Sequence, residues 1–358
     1  MKQPLSENTE ENYPDLPEDQ DDLYEHYRIA VDPGQSLLRI DKFLFNRIEN
    51  VSRNKIQAAA KAGNILVNNQ PVKPNYKIKP NDIVSVLLPG PVQEFEVVPE
   101  NIPFEILYED QDILVINKAA GMVVHPGHGN YTGTLLNGLT YYFRNQPQVQ
   151  PFLLHRIDKD TSGVLLIGKN ELARSILGKQ FFDHSIDRKY TALVWGDLKE
   201  NNGTIEGHIG RNPSDRLQMY VFTDGSQGRH AITHYRVLER FGYVTLVECK
   251  LETGRTHQIR AHFRHIGHPL FNDEKYGGDK ILKGTTFTKY KQFIQNCFRI
   301  MPRQALHARS LGFIHPTSHK NLLFETPLPP DMMELISKWR EYARHKDTFD
   351  EESENPLN

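Results

Sequence analysis

Prolines cluster between Pro89 and Pro103, at positions 89, 91, 99 and 103. A proline removes a backbone donor and fixes φ, so neither a helix nor a central sheet strand runs through such a stretch. The chain of 358 residues is thereby divided into a small front module over residues 34–90, a linker over 91–103 and a large domain over 104–346. Acidic tails at 1–33 and 347–358 are read as disordered. Their charge hides the character of the rest. Net charge is −2, but residues 1–25 carry −8 and residues 347–358 carry −5, which leaves +11 on residues 26–346. A basic body points to a polyanionic partner. The tails read as solubility aids, or as weak competitors for a basic groove.

In the front module Ile40, Phe43, Leu44 and Ile48 follow helical spacing. Ser52 is placed to N-cap a second helix in which Ile56, Ala59 and Ala60 share a face, with Gly63 just past its end. The run ILVNNQPV reads as a strand and turn, and IVSVLL as a closing strand. Arg39, Lys42, Arg47, Arg53, Lys55, Lys61, Lys73, Lys77 and Lys79 outnumber Asp41, Glu49 and Asp82. A basic face of this kind is either solvated or an RNA contact. Two short helices followed by a G-x-I/V-x-V-N strand resemble the alpha-L RNA-binding domain of a small-subunit ribosomal protein. That resemblance implies that Arg39, Lys42, Ser52, Arg53 and Lys55 contact RNA phosphates.

Several function classes are excluded. The two cysteines, Cys249 and Cys297, form no C-x-x-C pair, which argues against a disulfide framework or a zinc site. No apolar run approaches the roughly 18 residues of a membrane helix, and the acidic N-terminus is no signal peptide. A cytoplasmic location without membrane contact is expected. There is no P-loop and no G-x-G-x-x-G after a strand, so nucleotide cofactors are unsupported. Ser162 sits in no G-x-S-x-G elbow. His257, His262, His265 and His268 do not match H-E-x-x-H, and no carboxylate completes a metal site. Neither metal nor cofactor is expected.

The large domain alternates strand and helix patterns. FEILYEDQDILVINK reads as two strands about an acidic turn, 134–143 as a short helix, and Val164–Ile167 as an apolar strand. Residues 171–183 have helical spacing. Lys189–Trp195, Ala231–Leu238 and Tyr243–Leu251 read as strands, His257–His265 as a helix, and PLPPDMMELISKWREYARH as a terminal helix. The expectation is an α+β domain with a mixed, largely antiparallel central sheet and flanking helices. The basic, aromatic stretch from Asp279 to Gln304 reads equally as an RNA-contacting loop or a packing element.

Three segments concentrate chemistry. They are HRIDKDTSG (His155–Gly163), RKYTALVWG (Arg188–Gly196) and LETGRTHQIRAHFRHIGHPLFND (Leu251–Asp273). With NKAAGMVVHPG before them, they resemble the RluA family of RNA pseudouridine synthases, and the front module matches the longer, RluD-like members. The resemblance implies that a uridine within RNA has its base detached at N1 and reattached through C5, without cofactor. It assigns the catalytic carboxylate to Asp158 rather than Asp160, and its partner cation to Arg255. Tyr190 would pack against the target base and assist proton removal from C5, with Ile259 as an apolar wall. Arg156 would fill the stack vacated by a flipped base, with His155 shaping the loop and His257 lining the substrate site. Each residue also has a plainer reading. Asp158 caps a turn, Tyr190 is an ordinary strand aromatic, Arg255 binds phosphate alone, and His257 with Gln258 opens a helix and packs. The family further implies large-subunit ribosomal RNA, or an assembling ribosomal particle, as partner of a monomer. Transfer RNA and a non-catalytic RNA-binding role are the alternatives.

Overall fold

A computed structural model of the chain describes residues 23–48, 51–89, 97–126, 131–212, 214–215 and 218–354. The expectations for residues 1–22, 91–96 and 355–358 lie outside the described residues. The described residues split into two units, 23–89 and 97–354.

The front unit runs β1 (Leu23–Ala30), β2 (Leu38–Arg39), α1 (Ile40–Phe45), α2 (Arg53–Lys61), β3 (Ile65–Val67), β4 (Gln70–Pro71), β5 (Lys77–Ile78) and β6 (Ile83–Pro89). Ile40, Phe43 and Leu44 of α1 pack on Ile56, Ala59 and Ala60 of α2 within one apolar core. The Ser52 hydroxyl caps α2 by accepting from Lys55 N at 3.3 Å, and Gly63 takes φ +81° just beyond the helix. Asn68 and Asn69, both at positive φ, turn β3 into β4, as a two-residue hairpin requires. The sheet order is β1-β6-β3-β4. Residues 23–30, read as part of the acidic tail, therefore form a strand antiparallel to β6. Net charge concealed it: strand formation depends on backbone pairing and on side chains such as Ile29, which packs on the front core.

The large unit runs β7 (Glu105–Glu109), β8 (Ile113–Lys118), α3 (Leu135–Tyr142), β9 (Phe152–Leu153), β10 (Ser162–Gly168), α4 (Glu171–Phe182), β11 (Asp187–Trp195), β12 (Asn202–Arg211), β13 (Met219–Phe222), β14 (Arg229–Arg240), β15 (Val244–Leu251), α5 (Gln258–His265), α6 (Thr288–Ile300), β16 (Leu306–Ile314), β17 (Asn321–Glu325) and α7 (Pro330–Glu354). Its sheet has the order β13-β12-β14-β15-β11-β16-β10-β8-β7, with β17 added to β16 and β9 to β10. Pairing is antiparallel except between β10 and β16, so the sheet is mixed and largely antiparallel, as expected. Strands β8 and β10 are buried on both faces. Side chains alternate across a strand, so Leu114, Ile116, Leu165 and Ile167 enter one core. Ile113, Val115, Val164 and Leu166 enter another on the opposite face.

Two boundaries move. Residues 97–103, assigned to the linker, are docked on α3: Asn137 Nδ2 donates to Val98 O at 2.9 Å, and Glu100 N to Asn137 O at 3.1 Å. The acidic tail is also shorter, because α7 continues to Glu354. A helix already nucleated by packed residues extends at little cost per residue. The Asp279–Gln304 segment holds α6, whose Tyr290, Ile294 and Cys297 pack against Met332, Leu335, Ile336 and Trp339 of α7. Packing accounts for Tyr290, Phe293 and Phe298, while Phe287 is exposed.

Candidate active site

The loop between β9 and β10 carries His155 to Thr161, and several buried groups fix its backbone. Lys118 is fully buried at the end of β8. Its ammonium donates to Ala119 O and Met122 O at 2.8 Å and to Lys159 O at 2.9 Å. Arg303 donates to Asp160 O at 2.7 Å. Thr161 N returns to Asp158 O at 3.1 Å, closing a turn beneath the carboxylate. His155 Nε2 accepts the Leu166 amide of β10 at 2.9 Å, and its ring stacks on Phe181. Burial, with Arg188 adding, holds this imidazole down at about 3, so it is neutral and able to accept. Gly163 takes φ +123°, and a Cβ there would collide with the Ala308 backbone of β16. Only glycine lets the two parallel strands approach so closely directly after the loop.

Asp158 projects from this loop with 17% of its side chain exposed. Its Oδ2 lies 2.9 Å from Arg260 Nη1 and 3.9 Å from His257 Nε2. Burial pushes the carboxyl up, but His257, Arg260 and Arg156 outweigh it and hold the group at about 2. His257 is itself depressed to about 3, chiefly by burial. Its ring is uncharged at neutral pH, and there Arg260 supplies the adjacent cation. This corrects the assignment to Arg255. The Arg255 side chain instead donates from Nε to His230 O at 3.0 Å, because it precedes α5 and lies against β14. Arg260, inside the first turn of α5, is turned toward Asp158.

Arg260 is clamped from behind. Its Nε and Nη2 donate to the two carboxylate oxygens of Asp273 at 2.8 and 2.9 Å, and Asp273 is fully buried. The start of α5 is tied down by Gln258. Its Oε1 accepts from Thr253 Oγ1 at 2.8 Å and from Arg255 N at 2.9 Å, and its Nε2 donates to Ile232 O at 2.9 Å and to Thr233 Oγ1 at 3.0 Å. His257 occupies the left-handed region at φ 52°. Its Nδ1 lies 2.9 Å from the Tyr276 hydroxyl, which also accepts from Met219 N at 2.9 Å.

Tyr190 comes from β11, between Cys249 of β15 and Ala308 of β16, directly after a register shift that follows Lys189. It is 8% exposed, and burial raises its phenol above the ordinary value, with Arg188 opposing and Asp158 adding. Asp158, Tyr190, Ile259, His155, Arg156, His257 and Arg255 all line one cleft of about 450 Å³, a size typical of small-ligand sites. Asp160 does not line it. An ionised, nearly enclosed carboxylate beside an aromatic face and an apolar wall can act as nucleophile or base on a ring-bearing substrate.

In the front unit the expected RNA contacts divide. Lys42 and Lys55 are exposed. Arg39 and Arg53 converge on Asp41, which is fully buried. Asp41 accepts from Arg39 at 3.1 and 3.0 Å, from Arg53 at 2.9 Å and from Gln57 at 2.7 Å. Burial opposes its ionisation, but these donors hold its carboxyl far below the usual range. Ser52 serves as the cap of α2. Reading the sequence alone gave no site role to Lys118, Arg188, Arg260, Asp273 or Tyr276, and gave Gln258 only a packing role. Periodicity within GRTHQIR, carried one turn further, would have drawn attention to Arg260.

A family model for RNA pseudouridylate synthase matches residues 112–265, and one for the S4 domain matches residues 38–84. A protein of Bacillus subtilis named uncharacterized RNA pseudouridine synthase YlyB is 45% identical over 316 residues, covering 87% of this chain and 97% of its own. The ribosomal large subunit pseudouridine synthase D of Xanthomonas campestris is 40% identical over 317 residues, covering 88% and 93%. Among solved structures, human RNA pseudouridylate synthase domain containing 4 shares the fold, with a TM-score of 0.51 at 23% identity over 66% of this chain and 93% of that one. The chain belongs to the RNA pseudouridylate synthase family, as an RluA-type enzyme with an S4 RNA-binding domain ahead of its catalytic domain.

Proposed function

We propose that the protein converts uridine to pseudouridine in large-subunit ribosomal RNA, with Asp158 as the catalytic carboxylate. One observation carries the reading: Asp158 is nearly enclosed yet held ionised against Arg260 in the cleft that also presents Tyr190 and Ile259. The substrate class is supported by relatives named ribosomal large subunit pseudouridine synthase D. The target base leaves the RNA stack, at a cost of about a few kcal/mol, and Arg156 fills the gap. The N1–C1′ bond then breaks, the uracil turns, a C5–C1′ bond forms, the C5 proton leaves and N1 takes up a proton. Asp158 acts on the ribose, either by attack or by removing a proton, and Arg260 maintains its charge throughout. Tyr190 stays protonated at neutral pH and packs on the base, Ile259 closes the opposite wall, and His155 and His257 shape the pocket. In the front domain Arg39, Lys42, Ser52, Arg53 and Lys55 hold RNA phosphates. The enzyme works as a monomer in the cytoplasm.

Asp158→Asn is expected to abolish isomerisation while leaving RNA affinity nearly unchanged. Full turnover by that variant would overturn the mechanism. Pseudouridine mapping in cells with and without the protein tests the substrate: loss confined to transfer RNA would refute the ribosomal assignment.

A further inference from the structure

Arg188 is a buried cation that the reaction as described does not use. It stands two residues before Tyr190 on β11, is 7% exposed and lines the same cleft. Among the described residues no carboxylate lies within ion-pair distance of it. Its one hydrogen bond is long, from Nη2 to Glu252 O at 3.5 Å. Its Nε is buried with no partner. Its guanidinium sits 5.7 Å from the centre of the Phe181 ring, which gives it an apolar flank but no counter-charge.

The surroundings are built to admit this group. A Cβ at Gly254 would lie 2.5 Å from Arg188 Nη1, so the guanidinium in its present position fills the space beside a residue without a side chain. The neighbours add positive charge. Arg229 and Arg188 both disfavour the Arg255 cation, and the Arg255 side chain donates only to a backbone carbonyl among the described residues. The carboxylate of this cleft, Asp158, is already bonded to Arg260. A desolvated cation without a partner is costly to the fold, and an unsatisfied buried group in a cleft calls for a ligand or a chemical role.

We infer that Arg188 is an anion subsite of the catalytic cleft and takes a backbone phosphodiester of the RNA strand beside the target nucleotide. The guanidinium fork suits a phosphate, offering two parallel N–H donors, and the unpartnered Nε belongs to such a fork. The inference rests on RNA being the substrate and adds where one phosphate is held. Arg188 thereby positions the strand so that the flipped nucleotide reaches Asp158.

The test compares Arg188→Gln and Arg188→Lys with the unchanged residue, all in an Asp158→Asn background so that bound RNA is not turned over. The probe is a short oligouridylate, either natural or carrying a neutral methylphosphonate at one linkage at a time. Arg188→Gln is expected to weaken binding about tenfold and to make the dependence of log K on log salt shallower by about 0.7, the value for one single-strand phosphate. Arg188→Lys should retain the salt slope while losing part of the affinity. One methylphosphonate position should weaken binding to the Arg188 protein and leave the Gln variant indifferent. The melting temperature of the free Gln variant should equal or exceed that of its parent, because an unpaired buried charge has gone. A packing role predicts the reverse: a lower melting temperature with an unchanged salt slope, and that result overturns the inference. Because the readout is binding, failure to find ribosomal RNA modification would sink the functional reading alone. An unchanged slope in a protein that binds RNA would sink this inference alone.

Discussion

Replacing Arg260 by glutamine separates the two opposing forces on Asp158. In the unchanged protein the carboxyl sits at about 2 instead of 3.8, a displacement worth about 2.5 kcal/mol in favour of the charged form. That figure is what remains after burial has acted in the other direction. Because the folded value is depressed, the contribution is fully present above about pH 4 and is lost as pH falls toward 2. Without Arg260, burial is expected to dominate and to lift the carboxyl above its ordinary value. The sign of the linkage then reverses, and an ionised Asp158 destabilises the fold at neutral pH. Asp273, fully buried on the same guanidinium, loses its partner as well. Breaking a buried pair from one side costs about 3–5 kcal/mol, so the variant should unfold at markedly lower urea. Adding Asp273→Asn removes the second orphaned charge and should restore much of the stability. It should not restore activity. Turnover is read as release of tritium from RNA labelled at the uracil C5, since that hydrogen leaves when the base is rejoined. The acid limb of kcat/KM, beyond reach in the unchanged enzyme, should move into the range of pH 5 to 7 in the double variant, with turnover down at least about a hundredfold. An acid limb that stayed in place would refute the assignment of Arg260 as the charge that holds Asp158.

Lys118→Met tests the scaffold of the loop. Three carbonyls lose a charged donor in a fully enclosed site, which should cost at least about 3 kcal/mol in urea unfolding; a loss below about 1 kcal/mol would remove the ammonium from that role. Deletion of residues 1–96, which removes the whole front unit including β1, should weaken RNA binding and flatten its salt dependence. Unchanged affinity with an unchanged slope would leave substrate choice entirely to the catalytic domain.

Where the fold was legible, burial on both faces of a strand made it so. ILVI at the start of ILVINK, and Val164–Ile167, read as strands because every residue is apolar, and these residues divide by alternation into the two cores. β12 escaped the same reading because Gly203, Gly207 and Gly210 interrupt it, and glycine weakens a strand signal. In the folded chain those glycines make room for neighbours: a side chain at Gly203 would strike the Tyr235 ring, and one at Gly207 would strike Val221. β1 was obscured differently, since a run of acidic residues before it made composition outweigh pattern.

The site was legible where a motif marks a side chain and obscure where geometry must choose between two of a kind. GRTHQIR offers two arginines five positions apart. The expected helix over His257–His265 already set Arg260 inside it and Arg255 ahead of it, but it did not place Asp158 against either. α5 begins at Gln258, so Arg255 remains in the approach to the helix while Arg260 enters its first turn. The remaining problem is what keeps Arg260 on Asp158 when a polyanion enters, since a guanidinium free to rotate would be drawn to phosphate. Asp273 supplies the answer. It binds Nε and Nη2 from the buried side, leaving Nη1 pointed at Asp158. Two carboxylates on one guanidinium form a group with net negative charge, which has no tendency to capture phosphate for itself. The cations that meet the RNA must then be others in the cleft, and this separation of duties keeps Asp158 charged when the substrate arrives.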